Sequence, residues 1–146
     1  MVKSYNPQYK ERVEKFLERQ FFMQHIHFSL SEIKEGYTEG WMDIDKFHLQ
    51  QKGLVHGGVI ATLADSVMGF AAYTLLPIDQ HVVTGELKVS YLNPGAGEKL
   101  FAKGWVLKQG KKINFCEAEV YVVKDEKKTL IAKSSSTMVT IFPEPN

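Results

Sequence analysis

Val55-His56-Gly57-Gly58-Val59-Ile60-Ala61-Thr62-Leu63-Ala64-Asp65-Ser66-Val67-Met68-Gly69-Phe70-Ala71-Ala72-Tyr73-Thr74-Leu75-Leu76 opens on a His-Gly-Gly turn and then runs apolar to Pro77. One formal charge interrupts it, Asp65. As a helix it is apolar on nearly every side and is expected to be buried all round. A lone carboxylate in a core needs a reason, because an unpaired buried charge is costly. Residues three, four and seven positions from Asp65 share its helical face. They are Gly58, Ala61, Thr62, Met68, Gly69 and Ala72. Apart from Met68 that face is small, which leaves room for another backbone or for a ligand. The opposing reading is a structural Asp that pairs locally, since such carboxylates mark both networks and sites.

The start of the same helix carries a second signal. Gly57 and Gly58 open it, and the first N–H groups of a helix have no partners within it. Free N–H groups at the positive end of the helix dipole suit an oxyanion or a polarised carbonyl. Glycine also lets a ligand approach the backbone closely.

The rest of the chain bounds the possibilities. Its 146 residues suit one domain, 1–146, and its net charge of +1 implies neither nucleic acid nor an anionic membrane as partner. A span through a bilayer over 57–76 would bury Asp65 at mid-depth at roughly 3 kcal/mol, so a core helix wrapped by a sheet fits better. Cys116 is the lone cysteine, which fits a reducing compartment, and residues 1–7 lack the apolar core of a signal peptide; both point to the cytoplasm. Residues 7 to about 24 read as an amphipathic helix, with Tyr9, Val13, Phe16, Leu17 and Phe21 at helical spacing. Strands are expected at 26–34, which would include His27, and at 41–45. A loop over 46–55 leads to the central helix. Four more strands follow at about 81–92, 99–109, 112–124 and 128–142, joined as an antiparallel meander. In the first of these, Val83, Gly85, Leu87, Val89 and Tyr91 are expected on one face and Val82, Thr84, Glu86, Lys88 and Ser90 on the other. The fold class is α+β: an antiparallel sheet of about six strands around one long apolar helix, with an extra N-terminal helix. A single sheet leaves its edges and outer side uncovered, so dimerisation is expected.

This pattern resembles the hotdog fold. Gly53-Leu54-Val55-His56-Gly57-Gly58, with Asp65 nine positions after His56, is similar to the PaaI-like acyl-CoA thioesterases, which include phenylacetyl-CoA thioesterase. The likeness spans roughly residues 40–142 and takes in Val89-Ser90-Tyr91-Leu92-Asn93-Pro94 and Leu107-Lys108-Gln109-Gly110-Lys111-Lys112. The resemblance implies Asp65 as the catalytic carboxylate, acting as general base or as nucleophile. It implies that the Gly57 N–H polarises the thioester carbonyl, that His56 orients loop and substrate, and that Thr84 holds the attacking water. A loop amide that is usually Asn in the family is Gln50 here, with Gln51 a competing candidate. Gly58, Met68, Gly69, Asn93, Lys111 and Lys112 are the substrate-binding candidates, the two lysines for coenzyme A phosphates or as a solvated turn.

Spacing adds an argument of its own. Gly57 and Asp65 are eight residues apart, about 12 Å along a helix. A carbonyl and its attacking water need donor and base within about 3 Å of the reacting atoms. Gly57 of one subunit is therefore expected to face Asp65 of its partner, in a homodimer and a dimer of dimers. The expected activity is hydrolysis of a medium-chain or aryl acyl-CoA, with no cofactor beyond the coenzyme A of the substrate and no metal. Phe47, Met68, Phe70, Tyr73 and Trp41 are candidates for lining the acyl pocket or for plain core. Cys116 reads as a small core residue. Rival readings are a dehydratase or hydratase on acyl thioesters, a non-catalytic acyl-CoA binder or sensor, and a structural dimer with a dead site.

Overall fold

A computed structural model of the chain describes residues 1–142; the last four residues of the expected 1–146 domain lie outside the described residues. Its elements are α1 (Tyr9–Leu17), α2 (Phe21–His25), β1 (Ser29–Lys34), β2 (Tyr37–Asp43), α3 (Gly57–Tyr73), β3 (His81–Tyr91), β4 (Lys99–Lys108), β5 (Ile113–Lys124) and β6 (Lys127–Ile141). A short 3-10 turn at Lys46–His48 precedes α3. All six strands pair antiparallel in one sheet, in the order β1-β2-β4-β5-β6-β3.

The sheet wraps α3. Leu63, Ala64, Val67, Met68, Ala71 and Ala72 are fully buried against it, with Leu63, Val67 and Met68 each contributing about 1.5–3 kcal/mol. The approach is closest at Gly104 of β4. A Cβ there would lie 2.7 Å from the Val67 carbonyl carbon, so only glycine lets strand and helix backbones meet. Thr38 of β2 closes the same contact by donating its hydroxyl to the Val67 carbonyl at 2.8 Å.

α3 is not buried all round. Gly58 is exposed, and Ala61, Thr62, Asp65, Ser66 and Gly69 are only partly covered. This open stripe is the Asp65 face. Met68 and Ala72, expected on it, are fully buried instead: at 100° per residue Met68 lies about 60° round the helix from Asp65, toward the edge of that face, whereas Ala72 lies within about 20° of it and is covered two turns further along. No helix among the described residues is long and apolar enough to cross a membrane.

Three other expectations change. The N-terminal helix breaks after Leu17, with Gln20 at φ −83° and ψ 70°. The break turns Met23 into the core, and the Gln24 amide caps the freed carbonyls of Leu17 and Glu18 at 3.3 and 3.0 Å. β1 starts later than expected: His25 ends α2, and His27 sits at φ +61° between helix and strand. The four later strands are not one meander either. β4, β5 and β6 run consecutively, whereas β3 pairs with β6 at the far edge. Residues 93–98 therefore cross over the end of β5 instead of forming a hairpin. Val55 N–H donates to the Gly95 carbonyl at 2.9 Å and Glu98 N–H to the Val123 carbonyl at 2.9 Å, which anchors the crossing.

The two-face reading of β3 fails at a bulge. Thr84 pairs with Met138 and Glu86 with Thr137, which leaves Gly85 as the extra residue. The bulge shifts the phase, so Thr84 faces α3 and so do Leu87, Val89 and Tyr91 beyond it. A Cβ on Gly85 would come within 2.8 Å of a Val139 methyl.

Candidate active site

The bulge brings two β3 side chains onto α3. Thr84 and Tyr91 are seven residues apart, an odd spacing that strict alternation would send to opposite faces. With Gly85 inserted, both reach the helix. Thr84 donates its hydroxyl to Asp65 Oδ1 at 2.6 Å, and Tyr91 donates its hydroxyl to the Gly57 carbonyl at 2.7 Å. Each of the two marked positions of α3 is thus held by its own residue of one strand.

At the helix start, His56 is the N-cap, with φ −60° and ψ 134°. Its Nδ1 accepts the Gly58 N–H at 2.9 Å, so a neutral imidazole carries its proton on Nε2. The Gly57 N–H donates to no acceptor among the described residues. Its peptide carbonyl, that of His56, accepts from Val59 and Ile60 at 2.9 and 3.3 Å, which polarises the peptide and strengthens the free N–H as a donor. Gly58 is occupied and Gly57 is free: of the two glycines, Gly57 is the one that can hold an oxyanion.

His48 steadies the loop that leads there. It is 3% exposed; its Nδ1 accepts the Asp45 N–H at 2.9 Å, and its Nε2 lies 2.9 Å from the Ile26 carbonyl. Its own carbonyl accepts the His56 N–H at 2.8 Å. Gln50 lies in the same loop, where its side-chain oxygen accepts the Lys52 N–H, and Gln51 is exposed.

Asp65 sits at the wall of an open cavity of about 290 Å³ whose other walls include Phe16, Gly69, Tyr73, His81 and Thr84. Carboxylate, hydroxyl and cavity together can hold a water next to a thioester and accept its proton. Of the expected acyl-pocket residues, Phe70 and Tyr73 line this cavity. Met68 is fully buried, with the Ser136 hydroxyl 3.2 Å from its sulfur. Phe47 is 83% exposed, and Trp41 packs on Phe101 at 4.6 Å. Phe16 and His81 went unmarked in the sequence because α1 and the tip of β3 meet α3 only in the fold. Tyr91 was visible only as the end of a strand. Burial raises the Tyr73 phenol above its ordinary range, with the Arg12 guanidinium over its ring opposing. Cys116 is buried in the core, and burial pushes its thiol up to about 12.

The remaining candidates lie apart. Asn93 donates its amide to the Leu130 carbonyl at 2.8 Å, at the Gly57 end of the sheet. Lys111 and Lys112 are exposed on the β4–β5 hairpin, which Gln109 ties to Lys3 by two bonds of 2.9 Å. Leu130 pairs with Tyr121, and from there to Lys112 along β5 is about 30 Å at 3.3 Å per residue. One chain cannot offer Asn93 and these lysines to a single contact point.

The thioesterase superfamily model matches residues 52–129, the stretch that carries the His56 cap, Asp65, Thr84 and Tyr91. The chain belongs to the thioesterase superfamily. Its chemistry is thioester hydrolysis. A solved thioesterase family protein from Silicibacter pomeroyi is 30% identical, with a TM-score of 0.90 over 92% of this chain and 98% of that one. The E. coli PaaI protein from the phenylacetic acid degradation operon is 21% identical with a TM-score of 0.82, over 92% of this chain and 94% of that one, and shows the shared fold. Acyl-coenzyme A thioesterase 13 of Mus musculus is 29% identical over 82 residues, 54% of this chain and 56% of that protein. Across curated relatives the matched stretch spans from 52% to 86% of their own length.

Proposed function

We propose that this thioesterase hydrolyses a medium-chain or aryl acyl-CoA to the free acid and coenzyme A in a site shared by two subunits. The observation that carries this is the pairing of an Asp65–Thr84 contact inside a cavity with a Gly57 N–H, unpartnered among the described residues, about 12 Å along the same helix. Neither group completes a site in its own chain. β3 supplies the means of joining them. It is a sheet edge, and its residues 83–88 are all exposed in the single chain. Pairing this edge with its own copy about a two-fold axis near Leu87 and Lys88 sets Thr84 opposite the partner's Tyr91. Asp65 then faces the partner's Gly57.

In this reading Asp65 takes a proton from water, Thr84 keeps carboxylate and water aligned, and the water oxygen bonds to the thioester carbon. Negative charge moves to the carbonyl oxygen, where the partner's Gly57 N–H and the helix dipole meet it. Collapse breaks the carbon–sulfur bond and releases the coenzyme A thiol after protonation. Direct attack by Asp65, giving an anhydride that water then opens, uses the same geometry. His56 holds the glycine turn, and Gly58 and Gly69 leave room for the substrate. Asn93, with Lys111 and Lys112 of a subunit that the substrate reaches, meets the nucleotide. Residues 1–146 act as one domain in the cytoplasm, needing no cofactor besides the coenzyme A of the substrate. Exposed Leu107, Ile113 and Phe115 support a further pairing into a dimer of dimers.

A thiol-release assay over a panel of acyl-CoAs, with wild type beside Asp65→Asn, tests the reading. Release by wild type and its loss in the variant are expected. No release on any acyl-CoA would leave a binder or sensor, and equal release by both proteins would remove Asp65 from the mechanism.

A further inference from the structure

The Gly57–Gly58 peptide is held at both of its polar ends by side chains. Its carbonyl accepts the Tyr91 hydroxyl at 2.7 Å, and its N–H donates to His56 Nδ1 at 2.9 Å. The adjoining His56–Gly57 peptide, which carries the free N–H, is held through its carbonyl by the Val59 and Ile60 amides. Tyr91 also stands where a side chain of Gly57 would be. A Cβ on Gly57 would lie 3.3 Å from the Tyr91 hydroxyl oxygen and 3.4 and 3.5 Å from Cζ and Cε1 of its ring, so the phenol covers that side of the residue. Two consecutive glycines have wide freedom in φ and ψ, and the first N–H groups of a helix bond to nothing within it. The direction of the Gly57 N–H therefore depends on what holds the peptides around it. Tyr91 is itself firmly seated. It pairs with Ala132 on β6, and just beyond it the Leu92 N–H donates to the Ile131 carbonyl and the Asn93 amide to the Leu130 carbonyl, each at 2.8 Å.

From these contacts we infer that Tyr91 is a positioning residue for the hydrolysis: its hydroxyl fixes the Gly57 carbonyl and thereby aims the Gly57 N–H at the carbonyl oxygen of the thioester. The inference rests on the shared-site reading above and deepens it. An oxyanion donor acts best when it is already aimed before the charge forms, within about 0.5 Å and 10–20° of the productive geometry. One strand then serves both halves of the reaction. On β3, Thr84 steadies the base and Tyr91 steadies the donor. In the edge pairing about Leu87 and Lys88, Tyr91 stands opposite the partner's Thr84, so one backbone ladder sets the base of one subunit against the donor of the other. The fold itself does not need this hydroxyl. Tyr91 is 53% exposed and Gly57 only partly covered, so water can take the place of the hydroxyl on the carbonyl at little cost to stability. Water cannot hold the peptide to one direction.

The test is Tyr91→Phe, which keeps the ring against Gly57 and removes only the hydroxyl. Thiol release from octanoyl-CoA and benzoyl-CoA should fall in kcat on the order of tenfold, the size of one neutral hydrogen bond. KM should stay within about twofold, and the melting temperature should not move. A spectroscopic readout uses Asp65→Asn as background, loaded with whichever of the two thioesters wild type cleaves faster, isotopically labelled at its carbonyl. With Tyr91 present, the infrared carbonyl band of the bound thioester should lie below that of the free thioester. Adding Tyr91→Phe should return the band partway and broaden it. A merely structural role would lower the melting temperature or the affinity and leave the band in place. An unchanged kcat, a loss carried by KM alone, or the same band shift with and without the hydroxyl overturns the inference and leaves the hydrolase reading intact. No band shift in either protein removes Gly57 from the oxyanion, and no thiol release from either thioester by wild type removes the hydrolase reading; the inference falls with each.

Discussion

β5 and β3 lie two strands apart in one sheet and obey different rules. β5 alternates covered and open positions almost without interruption from Asn114 to Val122, and its inner residues Cys116, Ala118 and Val120 are buried under α3. β3 is half-covered near its ends and exposed throughout 83–88. The central strand has neighbours on both sides and is complete within the chain. The edge strand has one neighbour, carries the bulge, and contacts both marked positions of α3. The candidate site lies on the strand whose outer edge has no neighbour in the chain. That placement suits a reaction centre that needs a second copy, because an open edge is where another chain can add.

The largest expected effect on the β3 side is Asp65→Asn. Loss of the base should lower kcat about 10²–10⁴-fold, read by thiol release, with the melting temperature little changed. Next is Gly57→Pro. It removes the one N–H assigned to the oxyanion and leaves a residue favoured at a first helical position. His56 already has the extended conformation that precedes proline. A fall in kcat of about 10²–10³ is expected, with folding retained by circular dichroism. An unchanged kcat would detach the helix start from the chemistry.

Two glycines sharpen the contrast between centre and edge. Gly104→Ala on β4 drives a Cβ into the α3 backbone and should cost about 1–3 kcal/mol of stability in a denaturant titration. Gly85→Ala meets a Val139 methyl and the Thr137 hydroxyl, side-chain ends that can shift. It should cost less stability than Gly104→Ala but disturb the Thr84–Asp65 contact, so activity falls more than stability does. The reverse order would deny the bulge its role. The smallest effect concerns β5. With its thiol raised to about 12 by burial, Cys116 should resist iodoacetamide at pH 8 in the native protein and react after urea unfolding. The sign is that of an acid held protonated by the fold: its contribution to stability is full below the ordinary thiol range and is lost as pH climbs through it toward 12.

Much of this was legible in residue order. The apolar run from Gly57, the small face around Asp65 and the alternation of β5 are local patterns, and local patterns survive folding. The split of α1 from α2 was not legible, because Gln24 caps α1 only after the chain has turned back. Nor was the phase of β3: alternation alone puts Thr84 and Tyr91 on opposite faces, and only the register against β6 shows that Gly85 slips it. Met68 looked like a wall of the site because it shares a helical face with Asp65 within the tolerance of helical spacing, and the sheet decided otherwise.

What the sequence by itself determined is the central helix with its single acid, its glycine start, and the distance between them, because helical rise is set by backbone geometry alone. Tertiary structure decided which strand lies beside that acid and which side chains reach it. Those are contacts between segments far apart in the chain. They depend on pairing register and on the competition for buried space, neither of which is written in any one stretch of residues.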